Sequence, residues 1–409
     1  MSNDTDIVQV TDAVLNEWAT KPDGPVALSL KQKLLPVEES GIIFPPTYAD
    51  IGYNIDTLSD GIRVAMIDSV GSQANRLEPI FKSQSSEPDK WLVPQIEIVI
   101  RREDCGKCDA CKENGAAKKG KGKPCEKPLE VTRSLLDLAH RAADAVVQSS
   151  PKLLKLIGPA FQALQQGDAG PLCAIAPTSL VFGVWDSRGG TGEKRPRLVR
   201  SIIRAWDVEP LHAAAQFNSI WKLLDERQQE ELKKEAKAKK AKLSEKGLAD
   251  APATFRKTKM PQYDNGLPNP AARVLGGVLI RGRIEREVTV NLVALRGLRG
   301  KNEKETAAIR TYLLGLSLVA ATADIDLFLR EGCLLRYAEN GDAWYQVPRR
   351  GEPTRVDLSA EKAQNFGMEM AGFFREKWPK GDELKYEFDL KEAKNLLAKK
   401  TADQEESPE

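Results

Sequence analysis

The sequence predicts an α+β fold, and three observations carry that expectation. Short runs of continuous or period-two apolar character lie between turn signals through the first third of the chain. Other segments carry apolar residues at helical spacing, and the two kinds alternate along the chain instead of segregating. At 409 residues with 41% hydrophobic and 29% charged residues, there is material for a real core and for two or three modules or one domain with large insertions.

The elements follow in order. "PVALSLKQKLL" (25–35) reads as a strand, "GIIFPPTYADIG" as a Pro-rich connection, and "GIRVAMID" (61–68) as a buried strand running into "SVGSQANRLEPIF". "WLVPQIEIVIRR" (91–102) is a further strand with alternation at its end. Helical spacing predicts helices over 131–148 and 152–166; the apolar run at 178–187 reads as a strand, and 197–208 returns as another. From about 213 to 247 the pattern is one long helix with a polar second half, supported by pairs such as Glu230–Lys234 and Glu235–Lys239. A Pro/Asn/Gly-rich linker covers 250–271. Strands follow in 273–298, a helix at 304–323, a strand at 325–337, a helix at 359–377 and an acidic tail, "TADQEESPE". Mixed in this way, with basic loops projecting between them, the elements suggest a core of ferredoxin-like type carrying insertions.

Charge and targeting signals narrow the function classes. Net charge is only +2, so a nucleic-acid footprint must be local. The start "MSNDTDIVQV" is acidic and polar, unlike a secretory leader, and the apolar run "YLLGLSLVAATA" (312–323) is too short for a bilayer, which needs roughly 20 residues. A soluble, cytoplasmic protein with no membrane partner is expected.

Four of the six cysteines, Cys105, Cys108, Cys111 and Cys125, stand in "CGKCDACKENGAAKKGKGKPC". A reducing compartment argues against disulfides. The C-x₂-C-x₂-C run with a looped return suits tetrahedral zinc. An iron–sulfur cluster is the alternative, although a ferredoxin run brings its fourth cysteine sooner and before proline, whereas Glu126 follows Cys125. A metal-free lysine–glycine loop is the third reading. Four thiolates would leave zinc no open position, so a structural role is expected. Cys173 and Cys333, alone in apolar contexts, read as small buried hydrophobes.

No catalytic constellation appears. His140 lies within the expected helix 131–148 and His212 at a helix start; each reads as a core or capping residue. "GGTGEK" (189–194) lacks the phosphate-loop spacing. Asp68 and Asp186 have no partners in the sequence that would make them a catalytic pair.

Positive charge instead clusters in two places. Arg188, Lys194, Arg195, Arg197, Arg200 and Arg204 stand against Glu193 alone, with Gly189, Gly190 and Gly192 lending adaptability. Arg281, Arg283, Arg286, Arg296, Arg299 and Lys301 form the second group, with Arg281 and Arg283 at period-two spacing on a strand. Solvated strand edges would show the same charges.

Two stretches, "RVAMIDSVGSQANRLEP" (63–79) and "APTSLVFGVWDSRGGTGEKRPRLVRSIIRA" (176–205), with "FPPTYA" (44–49) upstream, resemble the backbone subunit of the type I-G (formerly I-U) CRISPR effector complex, a member of the RAMP superfamily. The resemblance spans most of residues 10 to 375. It implies an RRM-like palm with inserted finger, thumb and zinc-loop elements. The palm begins in 1–100, and 101–170 is an inserted cysteine loop with helices. Palm strands with a thumb loop at 186–200 occupy 171–210, a helical arm and linker 211–271, the rest of the palm 272–380, and a C-terminal extension 381–409. The resemblance further implies a non-catalytic subunit that polymerises with copies of itself along the spacer of a crRNA. That subunit presents the guide to target DNA beside the other Cascade subunits. Carried onto this chain, it makes Ser69, Gln73, Asn75 and Arg76 a first RNA-contacting loop, and Arg188 to Arg200 the thumb. Ser69 is also suited to capping a helix. Relatives in type III complexes cleave RNA with a loop aspartate, so a metal-dependent RNase using Asp68 is the alternative function. A zinc-containing regulator that binds nucleic acid would explain the cysteines but not the two long motifs.

Elemental analysis of the purified protein is expected to find about one zinc per chain, lost in Cys108→Ser without global unfolding. Stoichiometric iron with a visible absorption band would identify a cluster instead.

Overall fold

The computed structural model describes residues 7–48, 51–102, 129–187, 190–212, 220–241, 243–246, 248, 263–264, 267–268 and 275–405. Its centre is a nine-stranded mixed sheet. Four strands define the topology: Ala27–Pro36, Val199–Trp206, Ile284–Asn291 and Cys333–Val347, hereafter the first to fourth core strands. They lie side by side in the order fourth, first, third, second, each antiparallel to its neighbour. Helices fill the connections from first to second and from third to fourth. The arrangement is therefore the split β-α-β-β-α-β of a ferredoxin-like core. Arg63–Asp68 and Ile55–Thr57 extend one edge; Thr354–Asp357 and, parallel to it, Val8–Gln9 extend the other.

Alternation explains the strands. Leu28, Leu30 and Leu34 of the first core strand are buried while Lys31 and Lys33 face solvent. Ile284, Val288 and Val290 of the third alternate with Glu285, Glu287 and Thr289. The helix Glu303–Thr322 starts where Asn302 accepts from Glu305 N, with Glu303 and Glu305 in its positive first turn. From Thr311 to Ala321 every side is buried, because the sheet lies on one side and the helix Ala360–Arg375 on the other. The two helices cross at a pair of glycines. A Cβ on Gly315 would stand 2.8 Å from Gly367 Cα, so only hydrogen permits this approach.

A row of polar side chains runs across the buried face of the sheet. Arg286, fully buried on the third core strand, donates from Nη1 to Gln32 Oε1 at 2.5 Å and from Nε to Ser201 Oγ at 3.1 Å. Gln32 passes the row outward to Asp342 Oδ2 at 2.7 Å. In the other direction Ser201 donates to Gln73 Oε1 at 2.7 Å, Gln73 to Asp68 Oδ2 at 2.7 Å, and Arg76 Nε to the same oxygen at 3.1 Å. The row splits the apolar interior in two. Leu28, Leu30, Val199, Val288, Val290 and Trp344 join the helices on one side; Leu34, Ile203, Ala205, Ile284 and Leu335 form a second cluster on the other.

Several elements differ from their sequence reading. Residues 131–148 are not one helix: Leu129–Ser134 pairs as a strand with Glu97–Arg102, and two 3₁₀ turns and the one-turn helix Ala145–Gln148 follow. Ser134 and Asp144 interrupt the helical pattern by accepting from Leu136 N and Val146 N. His140 is accordingly exposed, 3.3 Å from Asp144 Oδ2, rather than in a core. Thr178–Val181 is a helical turn instead of a strand; its side chains are buried all round, and such a run carries no readable period. Among the described residues the long polar helix is Glu226–Ala238, begun by the Asp225–Gln228 capping box and followed by Lys240 at φ +50°; residues 213–219 lie outside the described residues. His212 ends a strand, Val208–His212, and not a helix start. The helix Asp12–Thr20, capped by Thr11, has no counterpart in the sequence reading. Cys173 and Cys333 are buried, as expected, and burial pushes the Cys333 thiol up to about 12. Among the described residues no helix is long and apolar enough to cross a membrane.

Arg286→Met is expected to lower stability by about 1–3 kcal/mol in urea titrations, since it takes the buried donor from Gln32 Oε1 and Ser201 Oγ. A loss under about 1 kcal/mol would show the row to be dispensable.

Candidate nucleic-acid interface

The "DSVGSQANR" stretch sits where the edge strand Arg63–Asp68 meets the helix Val70–Leu77. Ser69 caps that helix by accepting from Ser72 N at 3.3 Å, and Tyr48 of "FPPTYA" hydrogen-bonds to Ser69. Gln73 is fully buried and Asp68 is 1% exposed. Arg76 spends its guanidinium on Asp68 and on the carbonyls of Phe328 and Leu329, at 3.3 and 2.9 Å. The expectation that all four motif residues face a ligand is therefore corrected for Gln73, whose amide is committed to Asp68 and Ser201 in the core. Arg76 is largely committed as well, whereas Asn75 is exposed.

The two long motifs meet around a second buried pair that sequence reasoning missed. Glu78, at the end of the first motif, lies 2.7 Å from Arg141 Nε, both nearly inaccessible. Thr178 of the second motif hydrogen-bonds to Glu78, Ser179 Oγ accepts from Ala142 N, and Phe182 lies 5.4 Å beneath the Arg141 guanidinium. Arg141 also reaches the Gly183 carbonyl at 3.3 Å. Gly183 has φ +82°, and a Cβ there would meet Arg197 Cγ at 2.9 Å. Only glycine turns the chain this close to Arg197. The signal was present as "Glu-Pro" after an amphipathic helix, but nothing local identifies its arginine.

From Gly183 the chain enters a small hairpin, with Val184 opposite Arg195 and Trp185 opposite Lys194. It is firmly held. Asp186 N donates to Glu193 O, Thr191 Oγ1 donates to Asp186 Oδ2 at 2.5 Å, and Gln165 Nε2 donates to Thr191 O. Arg195 pairs with Glu193 at 2.8 Å and donates to Leu164 O, so it anchors the hairpin to the helix Pro151–Gln165. Lys194, Arg197 and Arg200 are exposed and make no ion pair among the described residues. Arg188 and Gly189 lie outside the described residues.

The other basic group is mostly compensated. Arg281 and Arg283 flank a turn rather than sharing a strand face. Arg281 pairs with Glu209 at 2.6 Å; Arg283 pairs with Glu285 at 3.0 Å and stacks over Trp206. Arg204 pairs with Glu287 on the open face of the sheet, where Lys31 and Lys33 also stand opposite glutamates. Among the described residues Lys194, Arg197 and Arg200 thus place three exposed cations without an ion pair on and beside the hairpin, and Arg299 and Lys301 of the second group are also exposed and unpaired.

Cys105, Cys108, Cys111 and Cys125 lie outside the described residues, as do the lysines between them. The strands on either side pair up to Arg102 opposite Leu129, so the segment leaves and returns at adjacent backbone positions. Among the described residues no group of three or more His, Cys, Asp or Glu could hold a metal ion.

Residues 28–210 match the model of a family described as CRISPR-associated protein GSU0053. The matched segment is a little under half of the chain, and it contains both long motifs, the Glu78–Arg141 pair and the hairpin. It supports a CRISPR-associated protein with a role in CRISPR defence. No curated protein matches the chain.

Burial pushes the Glu78 carboxyl up to about 7, against the pull of Arg141 and Thr178. The folded state therefore holds this proton above the ordinary carboxylate range, so its contribution to stability is full at acid pH and is lost as pH rises from about 4.5 to about 7. In urea titrations between about pH 5 and 8, wild-type stability relative to Glu78→Gln is expected to decline up to about pH 7 and then level. A difference independent of pH would show that Arg141 keeps Glu78 ionised throughout.

Proposed function

We propose that this protein is the backbone subunit of a type I-G CRISPR effector complex, a non-catalytic protein that coats the spacer of a crRNA. In this reading several copies associate head to tail along the guide and hold it for pairing with target DNA, together with the other Cascade subunits, in the cytoplasm. A heterologous contact that does not close builds such a filament. A guide held this way must be gripped by its sugar–phosphate backbone, leaving base edges free, and exposed cations on an anchored loop suit that task. Lys194, Arg197 and Arg200 are the first contacts proposed, with Ser69 and Asn75 beside the other motif. A structural zinc on Cys105, Cys108, Cys111 and Cys125 belongs to the same proposal and takes no part in chemistry.

The observation that carries the reading is the make-up of the segment that matches the CRISPR-associated family. Within it Lys194, Arg197 and Arg200 stand exposed without an ion pair among the described residues, on and beside the hairpin, while Asp68, its one carboxylate suggestive of nuclease chemistry, is held inside the core by Gln73 and Arg76. A hydrolytic carboxylate has to reach a metal ion or a water at the scissile phosphate, and this one is turned inward.

Incubation with labelled single-stranded RNA and magnesium is expected to give protection without cutting, and multimers whose size grows with RNA length. Cutting that disappears in Asp68→Asn would replace this reading with the nuclease one. Oligomers indifferent to RNA length would remove the filament.

A further inference from the structure

We propose that the outer face of the Val184–Arg195 hairpin is a stacking site for an unpaired nucleobase, with Trp185 as its platform. This rests on the RNA-binding reading above and names the group that holds one base of the bound strand. The chain has seven tryptophans; Trp18, Trp91, Trp344 and Trp378 are buried and Trp206 and Trp221 half-buried, but Trp185 is 60% exposed. Indole carries a large apolar surface, and a soluble protein rarely leaves one standing in water without a use for it.

The hairpin explains how the ring is held out. Side chains opposite one another in a hairpin share a face. Val184 and Arg195 form the inner face: Val184 is buried and Arg195 is tied to Leu164 O and Glu193. Trp185 and Lys194 form the outer face, with the Lys194 ammonium 5.6 Å from the indole centroid. The bonds of Asp186 and Thr191 fix the turn side, so the platform is organised before any ligand arrives.

The chemistry of the neighbours selects the ligand. An apolar partner segment would require contiguous apolar surface, but the side chain beside Trp185 is Lys194, and Thr191 and Glu193 on the same hairpin are polar or charged. A flat π surface beside an exposed ammonium matches a nucleotide, whose base stacks on the indole while its phosphate takes the cation. The base must be unpaired and unstacked to present a face, which fits a single strand and not a duplex. Lys194, now over the ring, has the reach to swing to the phosphate as the base takes its place.

The test compares full-length wild type, Trp185→Ala, Trp185→Phe and Lys194→Ala, binding an unstructured single-stranded RNA oligonucleotide by fluorescence anisotropy over a range of salt concentrations. Because the ring is mostly exposed, all four proteins should show the same thermal unfolding. Trp185→Ala is expected to weaken binding about five- to a hundred-fold with an unchanged slope of log K against log salt. Trp185→Phe, which keeps a π face, should retain most of the affinity. Lys194→Ala should instead reduce the slope by about 0.7. Wild-type affinity in Trp185→Ala, or a loss in Trp185→Phe equal to that in Trp185→Ala, overturns the stacking site and leaves the RNA-binding reading standing. Absence of binding by the wild-type chain overturns both.

Discussion

A buried arginine in the middle of a β-sheet is costly unless its protons find acceptors, and Arg286 finds them only when the strands beside it are in one register. Gln32 is its direct cross-strand partner, while Ser201 lies on the diagonal of the next strand. A slip of one residue would turn Gln32 or Ser201 to solvent and leave a charge uncompensated in the core. Apolar residues on either side could tolerate small shifts, since leucine packs against valine in more than one arrangement. The polar row from Arg76 to Asp342 cannot. It acts as the index mark of the sheet, with one apolar cluster packed under the helices and a second beyond it.

The same row fixes what lies at the edge of the sheet. Gln73 and Asp68 tie the helix Val70–Leu77 to the second core strand, and Arg76 carries the tie to Phe328 and Leu329. One turn further, Glu78 holds Arg141, and Arg141 holds the chain at Gly183 where the basic hairpin begins. The hairpin is therefore attached, through a short series of charged and amide contacts, to the register of the sheet. This accounts for the composition of the two long motifs. Many of their polar residues lie in the interior, positioning a small number of exposed ones, and the most distinctive sequence is not the surface a ligand would meet.

How much of this could be read in advance follows from the range of the forces involved. The first three core strands and the helices Glu303–Thr322 and Ala360–Arg375 were legible because alternation and helical spacing are local, whereas the fourth core strand, Cys333–Val347, runs ten residues past the strand read over 325–337. The segment 131–148 was misread because Val131, Leu135 and Leu138 suit a helix equally well until Glu97–Arg102 offers a strand to pair with. Thr178–Val181 was misread because complete burial erases periodicity.

The sequence by itself determined the α+β class, the four closely spaced cysteines, the near-neutral charge with two basic groups, and the likeness to a CRISPR-associated family. All of these are matters of composition or of contiguous residues. Only the tertiary structure decided which charges remain free. Arg195, Arg281, Arg283 and Arg286 look alike along the chain, yet one anchors a hairpin, two answer glutamates, and one is sealed in the core. Gln73 and Asn75 differ in the same way across a single helix. A side chain's charge is written in its codon, but its availability depends on partners brought near from distant segments, and those distances exist only once the sheet has closed its register around Arg286.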